Sequence, residues 1–145
     1  MELDIQEKIG QFEIFINDVL KEDLAQLEKK LDEKNSEIAE FLQLKSVITT
    51  FKNIGADKDG YKTKVDMGNN IFVQAHVEDA SHILLDVGLG HFVEFTLDEA
   101  LSVIDVRIKL FEKQVENLRK EIAKTNAHIK LLLIGIRDLQ GMDKE

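Results

Sequence analysis

The sequence predicts an α+β fold: a long antiparallel two-helix coiled coil with two β-hairpins between the helices. Three observations lead to it. A heptad seam runs from Leu97 to Leu139, a second helical pattern of apolar residues runs from Ile5 to about Lys52, and the residues between them switch to strict alternation.

The later helix is the most regular element. Stepping by four and three from Leu97 meets Leu101, Ile104, Ile108, Phe111, Val115, Leu118, Ile122, Thr125, Ile129, Leu132, Ile136 and Leu139, with Thr125 the one polar residue. A seam held over that length lays an apolar stripe along a partner helix. Thr96 and Glu99, three residues apart, form a capping box at its start, and Gly141 is expected to end it in a left-handed conformation. At about 1.5 Å per residue, Leu97 to Leu139 is a rod of roughly 63 Å, which needs a partner of matching length.

The earlier helix supplies that partner. Its stripe is Ile5, Ile9, Phe12, Ile16, Leu20, Leu24, Leu27, Leu31, Ile38, Phe41 and Ile48, with Lys34 and Lys45 at seam positions. These lysines are expected to snorkel or to pair with acids such as Glu116 and Asp105. The steps around Ile16, Leu20 and Leu24 are all four, a departure from the heptad that would unwind the supercoil locally.

Asn53 to Gly60 reads as a loop, with two glycines among short polar residues. Thr63–Met67 and Ile71–Val77 alternate around Gly68-Asn69-Asn70, and Ile83–Val87 and His91–Phe95 alternate around Gly88-Leu89-Gly90, giving two consecutive hairpins. The whole is expected to be one domain, 1–145, with helix one at 5–53, the hairpins at 61–95 and helix two at 96–141. Val65, Met67, Ile71, Val73, Val77, Ile83, Leu85, Val87, Val93 and Phe95 fall on one face if each hairpin keeps its alternation. Phe72, Leu84 and Phe92 add apolar bulk to the other. Helices engaged with each other have little surface left to cover this sheet, so the hairpins are expected to be an oligomerisation module. The alternative is a sheet folded back on the bases of the two helices in a protein that stays monomeric.

Composition narrows the function. The 145 residues include no proline, so nothing interrupts a long helix. They include no cysteine, which excludes disulfides and thiolate metal sites and fits a reducing cytosol or nucleus. The start, MELDIQEK, lacks the apolar core of a signal peptide, no Asn-x-Ser/Thr sequon occurs, and the longest apolar run, Leu131–Ile136, is too short to span a bilayer. A soluble cytoplasmic or nuclear protein is expected. Twenty-eight acidic against nineteen basic residues give a net charge of −9, which repels nucleic acid and anionic membranes and leaves proteins as the expected partners.

Sites of chemistry are weak. His76, His82, His91 and His128 lack metal-ligand spacing. Asp57-Lys58-Asp59-Gly60 lacks the third ligand and the distal Glu of a calcium loop. Gly88-Leu89-Gly90 has no third glycine or opening helix for a dinucleotide. No enzyme activity and no cofactor are expected.

The stronger candidate is apolar. With the helices antiparallel, facing residues should have numbers summing to about 150. Phe12 is then placed near Asp138, Ile16 near Ile134 and Val19 near Leu131, at the end away from the hairpins. Phe12, Phe15, Ile16 and Val19 on one helix and Leu131, Leu133 and Ile134 on the other exceed what a two-helix seam buries. Three occupants satisfy this pattern: unfolded client segments held without directional contacts, one fixed partner helix, or the pair's own widened core.

The order helix, two hairpins, helix resembles the α-type subunits of prefoldin. The likeness covers nearly the whole chain and is most specific from Val65 to Asp105, with Gly68, Asp79, the Val87-Gly88-x-Gly90 turn and Val93-Glu94 in place. Within that family, Phe15-Ile16-Asn17-Asp18-Val19-Leu20, Phe41-Leu42-Gln43-Leu44-Lys45 and Leu139-Gln140-Gly141 look most like the UXT (ubiquitously expressed transcript) type of prefoldin-like proteins. The resemblance implies a hetero-hexamer of two α-type and four β-type subunits. Its hairpins would join into β-barrels and its coiled-coil tips would hold unfolded or assembling proteins without ATP. It equally permits a scaffold or transcriptional co-regulator that recruits specific folded partners through the same coiled coil.

Overall fold

The computed structural model describes residues 2–142, so the ends of the expected 1–145 domain lie outside the described residues. The elements are α1 (Glu2–Ile14), a π-helical segment (Phe15–Leu20), α2 (Lys21–Asn53), α3 (Ala56–Asp59), β1 (Tyr61–Asp66), β2 (Phe72–Val77), β3 (His82–Gly88), β4 (His91–Thr96) and α4 (Leu97–Met142). They form two compact units. The hairpin unit is Ile38–Leu110, and the terminal unit combines the residues up to 37 with those from 111 onward.

In the hairpin unit the end of α2 lies antiparallel to the start of α4. Lys45 Nζ donates to Asp105 at 2.6 Å and Lys52 pairs with Asp98, both at the register expected from equal helical rise. Thr96 and Glu99 make the predicted capping box: Thr96 N–H donates to Glu99 Oε2 at 3.0 Å, and Glu99 N–H donates to Thr96 Oγ1 at 3.3 Å. A core of Ile48, Leu85, Leu97, Ala100, Ile104 and Ile108 forms here, with Phe41, Leu44, Phe51, Ile83, Phe95, Leu101 and Val103 packed on it. The loop expected between Asn53 and Gly60 contains one short helical turn, α3.

Each hairpin is its own two-stranded antiparallel sheet. In the first, Val65 faces Val73 and Lys62 faces His76. Its Asn69 and Asn70 both have positive φ, 53° and 61°, and Ile71 N–H donates back to Gly68 O at 3.0 Å. That is the twist a tight hairpin needs, and asparagine tolerates it. In the second, Leu85 faces Val93, and a register shift between Asp86 and Gly88 leaves Val87 as a bulge.

In the terminal unit, α1, the π segment and the start of α2 run antiparallel to the end of α4. Ile9, Ile16, Leu20 and Ile136 are its buried core, with Ile5, Phe12, Ile129, Leu132 and Leu139 packed against them. The π segment explains the departure from the heptad. Phe12, Ile16, Leu20 and Leu24 follow one another by four, and in an α-helix each such step overshoots a full turn by about 40°. A wider turn, marked by the Lys21 N–H donating to Ile16 O five residues back, absorbs the drift and keeps both Ile16 and Leu20 buried.

Two expectations about the helices need correction. Gly141 does not end α4, which continues as helix through Met142. Lys34 does not reach Glu116. It bonds Glu37 at 3.4 Å and sits 4.9 Å from the centre of the Phe111 ring, while Glu116 pairs with Lys120 at 3.0 Å. The neighbour one helical turn away is nearer than a partner across the seam, and Lys120 holds the Glu116 carboxyl below its ordinary pKa.

Candidate functional site

The terminal unit presents the first candidate surface. Phe15, Val19, Leu131, Leu133 and Ile134 are exposed, from 39% for Phe15 and Ile134 to 66% for Leu131. The Phe15 ring meets the His128 ring edge-on at 5.8 Å between centroids, which brings the π segment and α4 together at this surface. Two of the residues proposed from sequence are not part of it. Ile16 is 3% exposed and belongs to the core, and Phe12 is half-buried on the same cluster. Consecutive four-residue steps turn these side chains inward once the π segment is in place, whereas Phe15 and Val19 stay on the outside.

Facing residues are also offset from the expected pairs. A Cβ on Gly135 would lie 3.9 Å from the Phe12 ring, so Phe12 sits at Gly135 rather than at Asp138. A π segment packs more residues into the same rise, which lowers the sum of facing numbers on its N-terminal side. No heptad count contains that information, although the run of fours marks where to look.

The hairpins present the second surface, and they differ. Val65, Met67, Ile71 and Val73 of the first are exposed, with Val77 half-buried at its root. The second departs from the uncovered sheet expected of it. Leu85 is 7% exposed in the core on α2 and α4, Ile83 and Phe95 pack on that core, Val87 is half-buried, and only Val93 stays open. Arg107 Nη2 donates to the Val87 carbonyl at 2.8 Å and holds the bulge against α4. Hairpin two therefore folds back on the bases of its own helices.

The opposite hairpin faces are charged as well as apolar. They carry Lys62, Lys64 and Phe72 on the first hairpin and Leu84, Asp86, Phe92 and Glu94 on the second, all exposed. Their charges were visible by counting even positions. Between the hairpins, the Ser81 hydroxyl and backbone N–H hold the Asp79 carboxyl below its ordinary pKa, the backbone bond measuring 2.9 Å.

Among the described residues no group of three or more histidine or acidic side chains could hold a metal ion, and no helix is long and apolar enough to cross a membrane. His82 Nδ1 is engaged by Ser81 Oγ at 2.9 Å.

Comparison with known proteins agrees with this architecture. The Prefoldin family model, described as prefoldin subunit, matches residues 20–140. The chain is 41% identical to a protein UXT homolog from Nematostella vectensis over 97% of this chain and 89% of that one. It is 38% identical to human protein UXT over 94% and 85%. Human prefoldin subunit 5 is more distant, at 28% identity over 72% and 75%. Among solved structures, the filamentous PFD of Methanocaldococcus jannaschii, seen by cryo-EM, shares the fold with a TM-score of 0.63 at 23% identity, covering 80% of this chain and 93% of that one. Helices, hairpins and sequence agree on one conclusion: the chain belongs to the prefoldin family.

Proposed function

We propose that this chain is an α-type subunit of a prefoldin or prefoldin-like hexamer that holds unfolded or unassembled proteins without ATP. β-type prefoldin subunits and a second α-type subunit would be its partners, in the cytoplasm or nucleus. The observation that carries the reading is the cluster of exposed Phe15, Val19, Leu131, Leu133 and Ile134 around an already closed core. A core that is complete without them leaves these side chains free for another molecule, and a surface without directional groups accepts many sequences weakly. The exposed Val65, Met67, Ile71 and Val73 of hairpin one, beside unpaired strand edges, support the assembly half of the reading.

The test is a chain carrying Phe15→Ser, Leu133→Ser and Ile134→Ser. Expected are intact co-assembly with β-type subunits and loss of the ability to suppress aggregation of a denatured protein. Unchanged suppression by the assembled variant overturns the client site. Loss of one specific folded partner with suppression intact would favour the scaffold or co-regulator instead.

A further inference from the structure

We infer that the outward side of α4 between Lys120 and Arg137 docks an acidic amphipathic helix of a partner protein, laid against Ala123, Ala127, Leu131 and Ile134 with its carboxylates on Lys124, Lys130 and Arg137. The inference rests on the reading of the terminal unit as a binding surface and names the occupant of one side of it.

The end of α4 carries two apolar stripes back to back. The inner one, Ile129, Leu132, Ile136 and Leu139, packs into the core of the terminal unit. Stepping by four, four and three from Ala123 meets Ala127, Leu131 and Ile134, and at about 100° per residue these positions lie on the side away from the inner stripe. All four are exposed, Leu131 at 66% and Ile134 at 39%. This is the spacing with which one helix receives another, and the two alanines let a second backbone come close. Phe15 meets α4 at His128, nearer the inner stripe, so the outer stripe is a different side of the same tip.

Charge selects the occupant. In a chain of net charge −9, this stretch of α4 holds Arg119, Lys120, Lys124, Lys130 and Arg137 against a single acid, Glu121. Lys124 borders one edge of the outer stripe, and Lys130 and Arg137 border the other, the positions from which charged side chains reach a partner helix. Glu116 and Asp138 stand at its two ends and leave its length basic. Lys120 bonds Glu116 at 3.0 Å and Lys124 bonds Glu121 at 3.5 Å, but both pairs lie within one helical turn and are well exposed, so a competing carboxylate replaces them at little cost. Among the described residues Lys130 and Arg137 pair with no carboxylate. A nucleic acid would meet the same cations with its phosphates and leave Leu131 and Ile134 uncovered. An acidic amphipathic helix answers both the charge and the apolar stripe.

Fluorescence anisotropy of the full chain with two designed helical peptides tests this. Both carry the same heptad stripe of leucines, one flanked by glutamates and the other by lysines. Wild type is expected to bind the glutamate peptide and not the lysine peptide. Lys130→Glu with Arg137→Glu should weaken the glutamate peptide by about tenfold or more and gain the lysine peptide. Ala123→Gln with Ala127→Gln keeps every charge and should also weaken the glutamate peptide, because longer side chains hold the two backbones apart. Circular dichroism confirms that each variant is folded. No binding of the glutamate peptide, equal binding of its scrambled sequence or of the lysine peptide, indifference to both double variants, or equally tight binding of a single-stranded oligonucleotide overturns the inference. Suppression of aggregation without preference for the glutamate peptide sinks this inference alone. Specific binding of that peptide by a chain that, assembled with β-type subunits, suppresses no aggregation sinks the client reading alone.

Discussion

The two hairpins share a local device and meet different fates. Asp66 and Asp86 each accept the backbone N–H two residues on, at Gly68 and Gly88, and start their turns the same way. Yet Leu85 is buried at 7% while Val65 and Val73 are 43% and 49% exposed. The difference lies in the connections. β4 passes directly into α4 through the Thr96–Glu99 capping box, so the face carrying Leu85 lands on Ala100, Ile104 and Ile108 of that helix. Hairpin one follows α3, and at its root Tyr61 stacks on Phe51 of α2 at 4.7 Å. Alternation creates an apolar face, and the tether decides whether a helix reaches it.

The sharpest way to break this contrast is to truncate each apolar face. Leu85→Ala should destabilise the fold by about 2–5 kcal/mol, from lost burial and the cavity left behind. Val73→Ala should cost less than about 0.5 kcal/mol in the isolated chain. Denaturant unfolding of both variants checks the pair, and equal costs would mean that hairpin one is packed as well as hairpin two.

Gly60→Ala acts on hairpin one alone. Gly60 has φ of 73°, and a Cβ there would lie 2.1 Å from the Val77 carbonyl oxygen and 2.7 Å from that of Glu78. The backbone must shift, at a cost of about 2–3 kcal/mol. Hydrogen exchange should show lost protection in β1 and β2 and unchanged protection in β3 and β4.

Arg107→Ala is the counterpart for hairpin two. It removes the donor to Val87 and should cost about 1–2 kcal/mol, with faster exchange in β3 and β4 and none in β1 and β2.

The smallest effect concerns the link between the hairpins. Asp79 is held below its ordinary pKa, so its contribution is complete above the unfolded value, near 3.9, and fades as pH falls through the lower folded value. Exchange at Ser81 should quicken in acid in wild type and lose that extra pH dependence in Asp79→Asn.

Much of the architecture could be read from the residues alone because it follows from local rules. The α4 stripe, the capping box, both turns and the Lys45–Asp105 pair each depend on spacing within an element or on equal rise in two helices. The surface of the terminal unit was only partly legible. Phe15, Val19, Leu131, Leu133 and Ile134 are exposed as apolar excess suggests, but Ile16 and Phe12 turn inward, because a π segment, not a heptad, sets their direction.

The residue order by itself determined where α4 begins, where strands turn and which positions are apolar, since capping, periodicity and turn chemistry act over a few residues. Only the tertiary structure decided which apolar positions are covered. Leu85 and Val73 are equivalent in pattern, and what separates them is whether a helix lies within reach to exclude water from one and not the other.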